Sequence, residues 1–179
     1  MAWVSRRFPG LCPYYRLAYN SFAVLSVIPL LVCKQALAGE PFFTWSGPFA
    51  LARWGLLLGA AWLFWAGARE YDLGWVGGLA QLRSRCSFAG NPYAAPLRTS
   101  GILGRVRHPW YGGAIMLLWT HTAGFDAANL ITSLTLTGYV LLGTWLEERK
   151  LVHVHGEAYR KYQSQVPMFF PWPVRRERS

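Results

Sequence analysis

The sequence predicts an all-α membrane protein with about four transmembrane helices, or five, together with interfacial segments and a short cytoplasmic C-terminal helix. Two observations lead to this fold class: long apolar segments recur along the chain, and basic residues are confined to alternate connections between them. The chain has 179 residues, a length that would suit one soluble domain. The clustering of its apolar residues into separate runs excludes that class.

Two of the apolar runs, residues 17–37 and 48–68, are each long enough for a helix to cross a hydrocarbon core of about 30 Å. The first contains a single charge, Lys34, and the second only Arg53. A cleaved signal peptide is the alternative for the first run, but such peptides have a shorter apolar core and a small-residue cleavage site. Here the apolar core is long, and further spans follow it. We therefore interpret both runs as membrane helices.

Two further apolar runs in the rest of the chain are candidates for membrane helices. A third apolar run, from residue 110 to about 122, is short for a span, and a fourth covers residues 127–146. Residues 71–85 are apolar but too short and rich in glycine to cross, so we expect an interfacial segment there. Pro109 fits the first turn of the third helix, where its missing N–H is no loss.

The placement of charge predicts the orientation in the bilayer. Lys and Arg precede the first helix, lie between the second and third, and follow the fourth, whereas connections 38–47 and 121–128 contain neither. By the positive-inside rule, both termini and the long middle loop are cytoplasmic. The net charge of +10 then reflects topology and attraction to anionic lipid, and we expect no nucleic-acid partner. The predicted location is a bacterial inner membrane or an endomembrane.

Cysteine and histidine placement argues against disulfides and metal. Cys12, Cys33 and Cys86 are an odd number without metal-ligand spacing. His153 and His155 flank one residue, but no carboxylate or cysteine pattern accompanies them. We expect neither a disulfide framework nor a metal site.

Two adjacent carboxylates, Glu147 and Glu148, follow the fourth apolar run. Near a helix C-terminus they would oppose the macrodipole, so something else must hold them. Surface pairing with Arg149 and Lys150 is one explanation, and a polar or cationic ligand between the hairpin helices is the other. Adjacent residues point about 100° apart on a helix, so one carboxylate can face a ligand while the other braces an arginine.

Histidine and tyrosine residues near these carboxylates are equally ambiguous. His108, beside Arg107, is either an interfacial hydrogen-bonding group or a catalyst. Tyr159 and Tyr162, three residues apart, share with Val166 one face of a short helix that begins near Glu157. An amphipathic membrane anchor would show the same pattern. The chain has no Ser-His-Asp arrangement, P-loop or GxGxxG motif.

Three segments in order resemble the C-terminal signature of isoprenylcysteine carboxyl methyltransferase-like membrane proteins. They are RHPWYGG at 107–113, EERKL at 147–151 and HGEAYRKYQSQVPMFFP at 155–171. The family pattern is RHPxYxG, an apolar hairpin, EExxL, FGxxYxxY and VPxxxP, and His155 stands where the family usually has Phe. The resemblance defines a methyltransferase-like hairpin and tail helix at 99–172, after an N-terminal membrane region at 1–98. The relatives in this group include phospholipid methyltransferases, methanethiol S-methyltransferase-like proteins and NnrU-like proteins. Residues 72–81 resemble a stretch of the methanethiol-type and NnrU-like branch, with one extra residue.

The resemblance implies an enzyme that binds S-adenosylmethionine between the hairpin helices. The acceptor would be lipophilic or small: an isoprenylcysteine carboxylate, a thiol or an amine lipid. The near wall of the cofactor site would be formed by Gly101, Gly104, Arg107, His108 and Tyr111. Glu147 and Glu148 would hold the ribose or the amino-acid end, and Tyr159 and Tyr162 would close the cytoplasmic mouth.

The catalytic roles implied depend on the acceptor. Arg107 or Arg149 would orient a carboxylate, and His108 would be the base for a thiol or an amine. The alternative to an enzyme is a non-enzymatic membrane factor or small carrier that keeps the hairpin for structure.

Overall fold

The structure is a computed structural model, and it describes residues 14, 17, 18, 21, 22, 25, 28, 29, 32, 34–71, 73 and 96–171. The chain divides into two compact units, residues 1–37 with 71–91, and residues 38–70 with 92–179. In the first unit the described residues from 14 to 36 are helical, in agreement with the helix predicted at 17–37. Most of the predicted interfacial segment at 71–85 lies outside the described residues, as do all three cysteines, Cys12, Cys33 and Cys86.

The second unit contains a helical hairpin with a short ribbon and a tail helix. Its elements, in chain order, are β1 (Phe43–Thr44), α1 (Pro48–Glu70), a 3-10 helix (Gly101–Gly104), α2 (Pro109–Thr120), β2 (Gly124–Phe125), α3 (Ala127–His155) and α4 (Glu157–Gln165). The helices predicted at 48–68, from 110 and from 127 are therefore present. The two-residue strands were not predicted and add a small ribbon to the expected all-α fold.

Two described helices, α1 and α3, are long and apolar enough to cross a membrane, by length and composition alone. With 12 residues, α2 is about 18 Å long and thus shorter than a hydrocarbon core. The predicted number of four spans is not confirmed by the part of the chain that the structure describes.

Helix α3 is longer than its apolar pattern predicted. It continues past Leu146 to His155 and ends at Gly156, whose φ is +58°. Glu, Arg, Lys and Leu all favour helix, so the backbone stays helical after the apolar run stops. Glu147 and Glu148 consequently lie inside the helix, and the predicted conflict with the macrodipole does not arise, because the macrodipole acts on the last turn.

The two connections without Lys or Arg meet at one end of the hairpin, where β1 and β2 pair antiparallel. The Asp126 side chain caps α3 by accepting hydrogen bonds from the backbone N–H of Asn129 (2.7 Å) and of Gly39 (3.1 Å). Arg53 donates from Nε to the carbonyl of Thr120 (2.9 Å), where α2 ends. A cation stabilises a helix C-terminus, so the charge inside the predicted second span has a defined partner.

Helix α1 packs along α2 through a close contact that requires glycine. Trp110 donates from its indole Nε1 to the carbonyl of Phe64 (3.0 Å). A Cβ at Gly67 would lie 2.5 Å from the indole ring and 3.3 Å from Pro109. Only a residue without a side chain therefore allows the start of α2 to lie against α1.

Helices α2 and α3 are joined by polar contacts across the hairpin. Trp119 donates to the hydroxyl of Thr137 (3.1 Å), and Ser133 donates to the carbonyl of Leu118 (2.8 Å). These bonds fix the alignment of the two helices and thereby the relative positions of their polar ends.

The contact at Gly67 predicts a difference between two alanine substitutions in α1. Gly67→Ala should destabilise the protein by about 1–3 kcal/mol, because overpacking displaces Trp110. Gly55→Ala is the matched control: a Cβ there meets nothing within 4 Å, and alanine favours helix. Thermal unfolding in one detergent should give a lower midpoint for Gly67→Ala than for Gly55→Ala. Equal midpoints would show that α1 and α2 are not closely packed at this point.

Candidate functional site

The segment that enters α2 is held by the chain that follows α4. The backbone N–H of Arg107 donates to the carbonyl of Pro167 (3.0 Å), and that of His108 donates to the carbonyl of Met168 (2.9 Å). Pro109 then starts α2 at its first turn, as predicted. Main-chain bonds to the tail therefore place both the Arg107 and His108 side chains.

The loop before this segment is held by the end of α1. Glu70 accepts a hydrogen bond on its carboxylate from the Ser100 hydroxyl (3.0 Å), and its carbonyl accepts one from Arg98 (3.1 Å). Gly101 has φ +55°, and a Cβ there would collide with the Glu70 carboxylate. The positive φ and the contact with Glu70 therefore explain why this position requires glycine, without any contact to a ligand.

Glu148 is the centre of a buried polar cluster, which we call the Glu148 network. Its Oε1 accepts hydrogen bonds from Arg107 Nε (2.7 Å), His108 Nε2 (3.2 Å) and the Tyr159 hydroxyl (3.3 Å). Its Oε2 accepts from Arg107 (3.1 Å) and from the Gln163 amide (2.8 Å). The side chains of Arg107 and Glu148 are each 8% exposed. Residues from the segment that enters α2 and from α4 thus converge on one carboxylate of α3.

The Arg107–Glu148 pair has the bidentate geometry of the strongest ion pairs. The third nitrogen of the guanidinium donates to the carbonyls of Gln163 (2.9 Å) and Val166 (2.5 Å). Every nitrogen of the Arg107 side chain is therefore bonded within the protein. Of the arrangement expected for the two carboxylates, the contact of one with an arginine is present, and the arginine lies in the segment that precedes α2. The contact of the other with a ligand stays a prediction.

Arg149, considered as a partner for these carboxylates, lies elsewhere on α3. Its side chain is exposed and stacks on the ring of Trp145, 4.7 Å from the centroid. Within the described residues, Glu148 forms an ion pair with Arg107 and a hydrogen bond with His108.

The tyrosine face of α4 packs on the protein, which answers the question that its sequence pattern left open. Tyr159 and Tyr162 are buried and form a cluster with Val166. The Tyr162 hydroxyl donates to the carbonyl of Leu103 in the 3-10 helix (2.5 Å). Burial raises the pKa of Tyr162 to about 12 and also raises that of Tyr159, so both hydroxyls remain protonated donors. Their predicted role in closing a cofactor mouth stays a prediction.

An accessible carboxylate and an aromatic ring lie beside the Glu148 network. The Tyr111 hydroxyl donates to Glu147 Oε2 (2.9 Å), and Glu147 is half-buried. The Tyr111 ring stacks on His108 with centroids 5.4 Å apart and planes 9° from parallel. A carboxylate accepts hydrogen bonds from hydroxyl or ammonium groups, and an aromatic face accepts a flat ring. This edge can therefore hold a ligand that carries both.

Most of the predicted site residues come together around the network. Arg107, His108, Glu148 and Tyr159 belong to it, Tyr111 and Glu147 lie at its edge, and the 3-10 helix links Gly101, Gly104 and Tyr162 to it. Arg149 does not join them. Sequence reasoning missed Gln163 and Glu70, although Gln163 is four residues after Tyr159 and hence on the same face of α4. Among the described residues, no group of three or more His, Cys, Asp or Glu is placed to hold a metal.

Comparison with known proteins identifies the family. The chain is 30% identical over 182 residues to methanethiol S-methyltransferase 2 of Bradyrhizobium diazoefficiens, a match that covers 99% of this chain and 66% of the relative. It is 42% identical over 80 residues to methanethiol S-methyltransferase of Pseudomonas deceptionensis, which covers 45% of this chain and 30% of the relative. The chain belongs to the family of these methyltransferases. Membership of the isoprenylcysteine carboxyl methyltransferase-like group, predicted from the three motifs, is thereby confirmed.

The other matches to this family are partial. Methanethiol S-methyltransferase of Mycobacterium tuberculosis is 36% identical over 90 residues, which cover 50% of this chain and 36% of the relative. In the shorter matches the chain thus spans about a third of the length of its relatives. No family profile matches the chain, and no solved structure matches it.

The Glu148 network predicts unequal effects of removing the two adjacent carboxylates. Glu148→Ala leaves the Arg107 charge buried without its partner, which should destabilise the protein by about 3–5 kcal/mol. Glu147→Ala removes a half-buried side chain and should change stability by about 0.5 kcal/mol. Thermal unfolding of both variants in the same detergent measures the difference. Similar midpoints for the two would contradict a structural role for the network.

Proposed function

We propose that this chain is an integral membrane methyltransferase that uses S-adenosylmethionine to methylate a small thiol. The observation that carries the proposal is the convergence of the three family motifs on the Glu148 network, with Glu147 and Tyr111 accessible at its edge. Among the acceptors left open by the sequence, the similarity to methanethiol S-methyltransferases favours a thiol over an isoprenylcysteine carboxylate or an amine lipid.

The residues at the edge of the network fit the proposed cofactor. S-adenosylmethionine carries ribose hydroxyls, an ammonium group and a flat adenine ring, and when bound it supplies a methyl group activated by the sulfonium. The Glu147 carboxylate suits the hydroxyl or ammonium groups, and the Tyr111 ring suits the adenine. Glu148 already accepts five hydrogen bonds from the protein. We therefore assign the cofactor contact to Glu147 and a supporting role to Glu148.

The bonding of Arg107 supports a thiol acceptor over a carboxylate. A carboxylate needs a guanidinium or ammonium to orient it, and the nitrogens of the Arg107 side chain are bonded to Glu148, Gln163 and Val166. Arg149, exposed on α3, would be left for that task. A thiol acceptor instead needs a base, because the thiolate formed by losing its proton is the nucleophile.

The contribution of the protein is then to remove the thiol proton and to align the reactants. His108 is next to the Tyr111–Glu147 edge and is the proposed base. Alignment of the sulfur with the methyl group can lower the activation free energy of methyl transfer by up to about 7–11 kcal/mol. The mouth of the site is proposed to be cytoplasmic, as are both termini, with α1 and α3 in the bilayer of an inner membrane or an endomembrane.

Binding of S-adenosylhomocysteine tests the role of Glu147. A hydrogen bond to a charged group contributes about 1.5–3 kcal/mol, so Glu147→Gln should weaken binding roughly tenfold or more. Glu157→Gln is the matched control, since the Glu157 side chain is 87% exposed on α4. Calorimetric titration of the purified protein in detergent gives both Kd values. No binding by the wild-type protein at sub-millimolar ligand would instead favour a non-enzymatic membrane factor.

Thiols of different acidity test His108 as the base. His108→Gln should slow methylation of an alkyl thiol by about 10²–10⁴-fold. It should slow methylation of an aromatic thiol much less, because that acceptor is already ionised at the assay pH. His153→Gln, an exposed position on α3, is the control. An equal loss with both thiols would mean that His108 acts in binding or folding rather than as the base.

A further inference from the structure

His108 has two ring nitrogens, and the Glu148 network uses one of them. Nε2 lies 3.2 Å from Glu148 Oε1, whereas no described residue forms a hydrogen bond with Nδ1. The Glu148 carboxylate is paired bidentately with Arg107, so it is ionised and can only accept hydrogen bonds. The hydrogen in the His108–Glu148 bond must therefore be on Nε2.

We propose that Glu148 is a positioning residue that holds neutral His108 with its hydrogen on Nε2, so that Nδ1 is the atom that accepts the thiol proton. This inference rests on the proposed function and adds to it the basic atom and the group that orients it. It also gives Glu148 a role distinct from that of its neighbour Glu147.

Other contacts hold the ring of His108 in a single orientation. The Tyr111 ring stacks on the imidazole with the ring centroids 5.4 Å apart, and the centroid of the Phe169 ring lies 6.5 Å from that of the imidazole. The backbone N–H of His108 is bonded to Met168, and the side chain is 7% exposed. Because the two nitrogens point away from each other across the ring, Nδ1 faces away from the Arg107–Glu148 pair.

The proton transfer can be written completely with these groups. The S–H bond of the thiol breaks, its electron pair stays on sulfur, and the proton forms a new N–H bond at Nδ1. The resulting imidazolium has a hydrogen on each nitrogen, and its Nε2–H remains bonded to Glu148. Release of the Nδ1 proton to water restores the neutral ring. A carboxylate that orients a histidine base in one tautomer is an established arrangement in other enzymes.

Nitrogen NMR of the imidazole ring tests the inference without any turnover. The chain has four histidines, so 15N-histidine labelling gives few signals, and single substitutions assign that of His108. The protein is measured in detergent micelles without cofactor or acceptor, at about pH 9, where histidine is ordinarily neutral. We expect Nε2 to be protonated and Nδ1 to carry the lone pair. A predominant Nδ1–H tautomer would overturn the inference, whether or not the protein methylates thiols.

Two variants separate positioning from a general structural role. Glu148→Gln removes the charge that selects the tautomer and should give a mixture of both forms. Tyr159→Phe is the matched control, because it removes a different hydrogen bond to the same Oε1 and should leave the tautomer unchanged. In kinetics, Glu148→Gln should lower kcat roughly tenfold or more with an alkyl thiol and much less with an aromatic thiol. The same loss with both thiols, and an unchanged tautomer, would show that Glu148 only stabilises the fold; if Glu148→Gln does not fold, the tautomer of the wild-type protein still decides.

Discussion

The buried ion pair between Arg107 and Glu148 is the constraint on which the rest of the site depends. Burying two charges is favourable only when they are paired with good geometry and their remaining hydrogen bonds are satisfied. Here the segment that enters α2 supplies the cation, α3 the anion, and α4 with its tail supplies the Tyr159, Gln163 and main-chain partners. Each of the three family motifs therefore contributes a part that the others require, which is a physical reason for the motifs to occur together.

The Arg107–Glu148 pair also gives the two adjacent carboxylates, Glu147 and Glu148, different environments. Because neighbouring residues point about 100° apart on a helix, α3 can direct Glu148 into the protein while Glu147 stays half-buried beside Tyr111. The inner carboxylate is fixed by five hydrogen bonds, and the outer one has an accessible oxygen edge. In the proposed function, an adjacent Glu pair thus provides one rigid support and one ligand contact from a single turn of helix.

Features that depend on local sequence were predictable, and those that depend on distant contacts were not. The start of α2 at Pro109, the helices of the hairpin and the shared tyrosine face of α4 follow from turn chemistry and periodicity. The partner of Glu148 does not: Arg149 is adjacent in sequence, yet an exposed pair contributes little, and burial selects Arg107 instead. The length of α3 was underestimated because its apolar pattern stops while the helix continues, and the two-residue strands of the ribbon are too short to leave a pattern.

Arg107 has a structural role, although it lies in a motif that resembles a catalytic signature. Arg107 and His108 are adjacent in the RHP segment, but the guanidinium bonds only to the protein, whereas the imidazole keeps one nitrogen without a partner among the described residues. The arginine therefore stabilises the arrangement in which the histidine is oriented, and in the proposed function the histidine is the residue that takes part in the reaction. In the proposed function, an arginine whose nitrogens are all bonded within the protein is not available to a carboxylate acceptor, so the preference for a thiol rests on a contact that stabilises the fold.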